Sequence, residues 1–287
     1  MAAEKRNLHG FEVYLKEQEK SRNTIEKYVR DVGCFLSHAG ADGVTREAVL
    51  SYKKYLVEHY KISSVNSMVT ALNCYLKYLS LDGLCVKTCR QQRQIFLDES
   101  RELSRTEYAR LVQTARSRGN LRLCIMLQTV ASTGIRIGEL KYITVEDLKE
   151  RKVSIDFKGK CRIILLPQSL IVVLKDYCRK MGIKKGRIFV TKSGRAIDRR
   201  NIWAEMKGLC RDARVQPSKV FPHNLRHLFA KCFYEKEKDL MRLADYLGHS
   251  SVDTTRRYVM ISTAEACRRQ LELGLLVHGT TKQSTMT

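Results

Sequence analysis

Three short stretches of this 287-residue chain combine side chains that could act on a phosphate. The first is Thr133-Gly134-Ile135-Arg136-Ile137-Gly138-Glu139-Leu140, where a glycine ends one helix and Arg136 opens the next. An arginine at such a start points its charge where backbone N–H groups also favour an anion. The second is His223-Asn224-Leu225-Arg226. Its His223 and Arg226 share a helix face, setting a titratable imidazole beside a fixed guanidinium, a pairing suited to proton transfer near a phosphate. The third is Leu247-Gly248-His249, whose histidine precedes Tyr258 by nine residues. A tyrosine hydroxyl can serve as a nucleophile, although most of the 13 tyrosines must be packing residues.

Each stretch alone has a plain structural explanation, and only their order in one chain is informative. Composition points the same way. The net charge is +23, with 53 Lys and Arg against 30 Asp and Glu. Residues 1–95 carry 15 basic and 10 acidic side chains, whereas residues 96–287 carry 38 and 20. An excess that large and that dispersed favours a polyanionic partner, and nucleic acid is the commonest one. The segment Met1–Gly10 is polar and charged, unlike a signal peptide, and no run approaches a membrane span. Ten cysteines are scattered singly, with Cys85 and Cys89 the closest spacing and no CxxC pair. This pattern predicts reduced thiols in a cytoplasmic protein without a structural metal.

The elements that would position these residues are mostly helical. Ser21–Thr24 offers N-cap candidates for a helix carrying Ile25, Tyr28, Val32, Phe35 and Leu36 and ending near Gly40. Thr45 can cap a third helix through Tyr60, and Val65, Met68, Leu72, Tyr75, Leu76 and Leu79 mark a fourth. With a first helix before Ser21 these form a small bundle, and Lys53, Lys54 and Lys61 are expected on its polar side as DNA contacts. Residues 81–100 lose periodicity and read as an interdomain connection. Ser104-Arg105-Thr106-Glu107 is a capping box that starts a new helix, and a further helix runs from about Asn120 to Gly134. Lys152–Phe157 and Arg162–Leu166 alternate or are β-branched and flank Lys158-Gly159-Lys160, which predicts a β-hairpin with a basic turn. Ile188–Val190 is a candidate third strand, and a last helix is expected over 263–276.

With these motifs in this order, the chain resembles the tyrosine recombinases, the phage integrase family, and in particular their Xer and transposon-integrase branch. The resemblance implies a mainly α protein with a small antiparallel β-sheet. Residues 1–95 correspond to a helical, SAM-like core-binding domain and residues 103–287 to an α+β catalytic domain. It implies that Arg136 and Arg226 hold the non-bridging oxygens of the scissile phosphate and that Tyr258 is the nucleophile. His223 corresponds to the general acid/base, His249 to a phosphate hydrogen-bonder, and Glu139 to the carboxylate that supports these positions. A hairpin lysine protonates the leaving 5′-oxygen. Lys158 is favoured over Lys160, although the stretch from the lysine to Pro167 is spaced differently from the commoner family pattern.

Further implications are no cofactor, no metal and no ATP. The expected partner is double-stranded DNA with paired recombination sites, bound by a homotetramer, with room for an accessory protein and none for a membrane. Arg256 and Arg257 are candidate DNA contacts. A C-terminal helix carrying Ala264, Ala266, Leu271, Leu273 and Leu275 is expected to pack in trans. The chain opens almost directly on the core-binding region, which favours simple sites. A type IB topoisomerase, which uses the same chemistry without pairing sites, and a DNA-binding protein without chemistry are the alternatives.

Overall fold

The computed structural model describes residues 2–40, 43–90, 99–157, 160–191, 193–249 and 251–256. Contacts divide the chain into two compact units, Met1–Arg93 and Gln94–Thr287. Among the described residues no helix is long and apolar enough to cross a membrane.

Among its described residues the first unit holds four α-helices, α1 (Ala2–Glu17), α2 (Arg22–Ala39), α3 (Arg46–His59) and α4 (Ile62–Tyr78). Ser21 and Thr45 cap α2 and α3 as expected, each accepting a backbone N–H at 3.2 Å. Gly40 ends α2 at φ 57°, a conformation that costs glycine little. The apolar faces close on Phe11, Leu15, Val32, Phe35, Leu72 and Tyr75, all buried.

After α4 the first residues of the expected interdomain connection are held by side chains of that helix. Val86 N–H donates to Asn73 Oδ1 at 3.0 Å, and Asn73 Nδ2 returns a bond to Val86 O at 2.8 Å. Two turns back on the same helical face, Asn66 makes the same double bond with the backbone of Cys89. Two amide side chains thus act as backbone mimics and pin residues 85–89 along α4, with Val86 buried in the core. Lys53 belongs to this strap: its Nζ donates to Lys87 O at 2.7 Å, while Lys54 and Lys61 are exposed.

In the second unit the capping box at Ser104 and Glu107 starts α5 (Arg105–Ser117), with both reciprocal bonds formed. Helix α6 (Leu121–Thr133) is the central element, and Leu123, Met126, Leu127 and Val130 are buried along it. Short α7 (Asp147–Glu150) leads into the hairpin of β1 (Lys152–Phe157) and β2 (Lys160–Leu165), paired antiparallel with Ile155 opposite Arg162. Val153, Ile155, Ile164 and Leu166 turn into the core. Helices α8 (Gln168–Lys180), α9 (Arg199–Gly208), α10 (Pro222–Glu237), α11 (Leu240–Leu247) and α12 (Val252–Arg256) follow.

The expected third strand does not join the sheet, which among the described residues is two-stranded. Ile188 and Phe189 are buried, but this segment makes only isolated bridges, Thr144 with Arg187 and Val190 with Ala196. Its apolar residues fill the core without extending a ladder. Cys85 and Cys89 are free thiols. The expected helix over 263–276 lies outside the described residues.

Candidate active site

Helix α6 ends at Gly134 in the left-handed conformation, φ 63°. A side chain there would fail twice, because a Cβ would stand 2.5 Å from Phe229 and 2.9 Å from Leu247. The turn delivers Arg136, which stands at the N-cap of a 3₁₀ segment, Ile137–Tyr142, where an ordinary helix was expected. Glu139 Oε2 accepts the Arg136 backbone N–H at 2.9 Å, and Glu139 Oε1 accepts from Arg136 Nη1 at 3.0 Å. Nearly half of the Arg136 side chain remains exposed, at 47%.

Arg226 approaches from the first turns of α10 and is almost wholly buried, 2% exposed. Its guanidinium donates at 2.6 Å to Gly134 O, just past the end of α6, and at 2.6 Å to Leu247 O, the last residue of α11. It also donates to His249 Nε2 at 2.9 Å. Since Nε2 accepts, the proton sits on Nδ1, which donates to the buried Thr255 Oγ1 at 2.8 Å. Burial, reinforced by Arg226, Arg136 and Arg162, pushes the His249 pKa down to about 4, so the ring is neutral at pH 7. Gly248, at φ 59°, turns the chain between α11 and this histidine.

His223 lies in the first turn of α10 on the wall of the cleft described below. Desolvation first, then Arg226 and Arg136, lowers its pKa, which keeps it neutral and able to take a proton. His227, one turn on, meets it edge to face with ring centroids 4.8 Å apart, and burial pushes the pKa of His227 down to about 4.

Arg136, Glu139, Arg162, His223, Arg226 and His249 all line one open cleft of about 2020 Å³. Trp203, Arg199 and Arg200 of α9 extend its wall. Five residues expected from the sequence therefore meet there: Arg136, Glu139, His223, Arg226 and His249. Lys158, Arg257 and Tyr258 lie outside the described residues, and Lys160 and Arg256 are described by backbone alone. Among the described residues no group of three His, Cys, Asp or Glu is placed to share a metal ion.

Two members of the cluster were not singled out in the sequence. Arg162 of β2 donates to Glu139 Oε2 at 2.7 Å and to Tyr246 O at 3.0 Å. Thr255 fixes the histidine tautomer. Thr255 gave only a weak signal, its closeness to Tyr258. Arg162 gave none, standing in a strand of ordinary β-branched pattern.

The cleft gathers two arginines and a neutral histidine at the ends of α6 and α11, a positively charged arrangement that suits an anion. Comparison with known proteins gives the class. The sequence profile of the phage integrase family matches residues 101–265, and the chain belongs to that family, the tyrosine recombinases that break and rejoin DNA at specific sites. It is 29% identical over 272 residues to tyrosine recombinase XerA of Pyrococcus furiosus, covering 92% of each chain. It is 25% identical to tyrosine recombinase XerD of Listeria innocua, covering 86% of this chain and 90% of that one. Among solved structures, XerA recombinase aligns with TM-score 0.52 at 25% identity, covering 96% of this chain and all of that chain. A lambda integrase tetramer bound to a Holliday junction shares the fold, with TM-score 0.70 at 15% identity, covering 88% of this chain and 76% of that one.

Proposed function

We propose that this protein exchanges DNA strands between paired recombination sites through a covalent bond to Tyr258. In the first step the Tyr258 oxygen attacks the scissile phosphorus, giving up its proton toward His223. The bond from phosphorus to the 5′-oxygen breaks, and the leaving oxygen takes a proton from the hairpin lysine, Lys158 in preference to Lys160. The products are a 3′-phosphotyrosyl link and a free 5′-hydroxyl. The phosphotyrosyl link conserves the phosphodiester energy, so rejoining needs no ATP.

Arg136 and Arg226 hold the non-bridging oxygens. Each charge-assisted contact contributes about 1.5–3 kcal/mol, and more where charge accumulates in the transition state. Glu139 orients Arg136, and His249 hydrogen-bonds the same phosphate once Arg226 turns to the substrate and the ring carries its proton on Nε2, with Nδ1 then accepting from the Thr255 hydroxyl. The observation that carries this reading is the convergence of Arg136, Arg226 and His249, drawn from three separate motifs, on one cleft.

The wider scheme follows the family. Residues 1–95 grip DNA, with Lys54 and Lys61 free to reach phosphates, and residues 103–287 carry the chemistry. Four protomers join two sites and pass through a Holliday junction. A helix after Tyr258 packs in trans, and an accessory protein assists assembly. The biological task is integration and excision of a mobile element or Xer-type resolution. No metal takes part.

The test is covalent trapping. A duplex selected by binding and nicked near the cleavage point is incubated with EDTA present and run on a denaturing gel. Wild type should give a slow band that Tyr258→Phe lacks while still binding the duplex. An identical band from Tyr258→Phe, or none from wild type on tightly bound nicked DNA, would refute the proposal.

A further inference from the structure

Arg162 is joined to the site from an unexpected direction. It stands on β2, two residues beyond Lys160 and four beyond Lys158. Its Nη1 bonds Glu139 Oε2 and its Nη2 bonds Tyr246 O. Glu139 in turn holds Arg136, whose Nη2 reaches Gly248 O at 3.4 Å. The bonds close a ring: hairpin to Glu139, Glu139 to Arg136, Arg136 to the turn before His249, and that turn back to the hairpin.

The ring is tight as well as closed. A Cβ on Gly248 would lie 2.6 Å from both Cδ and Nε of Arg162, so the glycine of the Leu-Gly-His motif is the space through which the Arg162 stem passes. The Arg162 side chain is 11% exposed, against 47% for Arg136. Its Nε is buried without a hydrogen-bond partner among the described residues. Arg162 spends its charge on the Glu139 carboxylate and its second terminal nitrogen on Tyr246 O, whereas the carbonyls that hold Arg226 leave its charge uncancelled and Arg136 stays half exposed. A strand advances roughly 3.3 Å per residue, so a fixed point at Arg162 lies within about four residue steps of the whole turn.

We propose that Arg162 is a positioning residue: it locks the β-hairpin to the Glu139–Arg136 pair and the Gly248–His249 turn, so that the hairpin lysine is presented to the phosphate those groups hold. This rests on the strand-exchange reading above. Its consequence is chemical. If Arg162 serves the lysine, its loss harms protonation of the leaving 5′-oxygen and little else. A sulfur in that bridging position leaves as a thiolate and needs no proton.

Arg162→Lys and Arg162→Gln are therefore compared with wild type and Arg136→Ala on the nicked duplex, with oxygen or sulfur at the 5′-bridging position. Thermal melts and duplex binding establish that each variant is folded. On oxygen DNA the Arg162 variants should cleave slower by on the order of 10²-fold, the lower end of what general acid catalysis supplies, and on sulfur DNA within about threefold of wild type. Arg136→Ala should be slow on both. Arg162 variants slowed equally on both substrates, or on neither, overturn the positioning role while leaving the strand-exchange reading standing. Wild type inert on both substrates overturns that reading and this one with it.

Discussion

Replacing Arg226 with lysine separates the structural duty that its bonds show from the phosphate-holding duty proposed for it. The guanidinium satisfies Gly134 O and Leu247 O at 2.6 Å each and reaches His249 at 2.9 Å. An ammonium is a single point of charge and cannot span acceptors on three separate segments. It keeps one carbonyl and strands the other inside the core. Losing one charge-assisted bond and leaving one buried acceptor unmet costs about 2–4 kcal/mol. For a unit of this size that lowers the melting temperature by roughly 4–16 °C. Arg226→Met strands both carbonyls and should fall further. Calorimetry without DNA reads this part alone, and only one of two unfolding transitions should move. Below the melt, single-turnover cleavage by Arg226→Lys should be about 10²–10³-fold slower, the cost of one lost oxyanion donor. In Arg226→Met the His249 pKa, followed by NMR, should rise from about 4 because a neighbouring cation is gone. A lysine variant melting with wild type and cleaving at its rate would refute the assignment of either duty.

Two further outcomes follow from the same geometry. Gly134→Ala combines a positive φ with contacts of 2.5 and 2.9 Å to Phe229 and Leu247. It should destabilise by about 2–4 kcal/mol, whereas Gly138→Ala, which meets nothing within 4 Å, should melt with wild type. Acidification should also destabilise. His227 and His249 titrate at about 4 when folded, against 6.5 in an open chain, so the unfolded state binds more protons between those values. Their contribution is present above about pH 6.5 and lost as the pH falls through about 4. The melting temperature should drop over that window, less steeply in His227→Gln, and a flat profile would contradict the assigned burial.

The motif residues were legible in the sequence because their roles are encoded locally. Gly134, Arg136 and Glu139 make one turn, His223 and Arg226 share a helix face, and Gly248 and His249 end a helix together. The helices of the first unit were legible through their caps at Ser21 and Thr45 and their apolar spacing. Arg162 was not, because its importance arises from meeting Glu139, 23 residues away, and Tyr246, 84 away. Asn66 and Asn73 look like polar helix surface until residues 85–89 fold back onto them. Ile188–Val190 has a strand's composition, and only tertiary packing decides that it fills the core unpaired.

The way Arg226 is held has an electrostatic consequence. Carbonyl oxygens at helix ends accept hydrogen bonds without cancelling a unit of charge. Arg136, Arg162, Arg226 and Glu139 therefore sum to +2 around a neutral His249. A phosphodiester brings one negative charge, and its five-coordinate transition state carries two. In the proposed reaction these four side chains overcompensate a diester by one charge, a surplus that favours the oxygens of the five-coordinate transition state, where negative charge accumulates, and that is present before any DNA arrives.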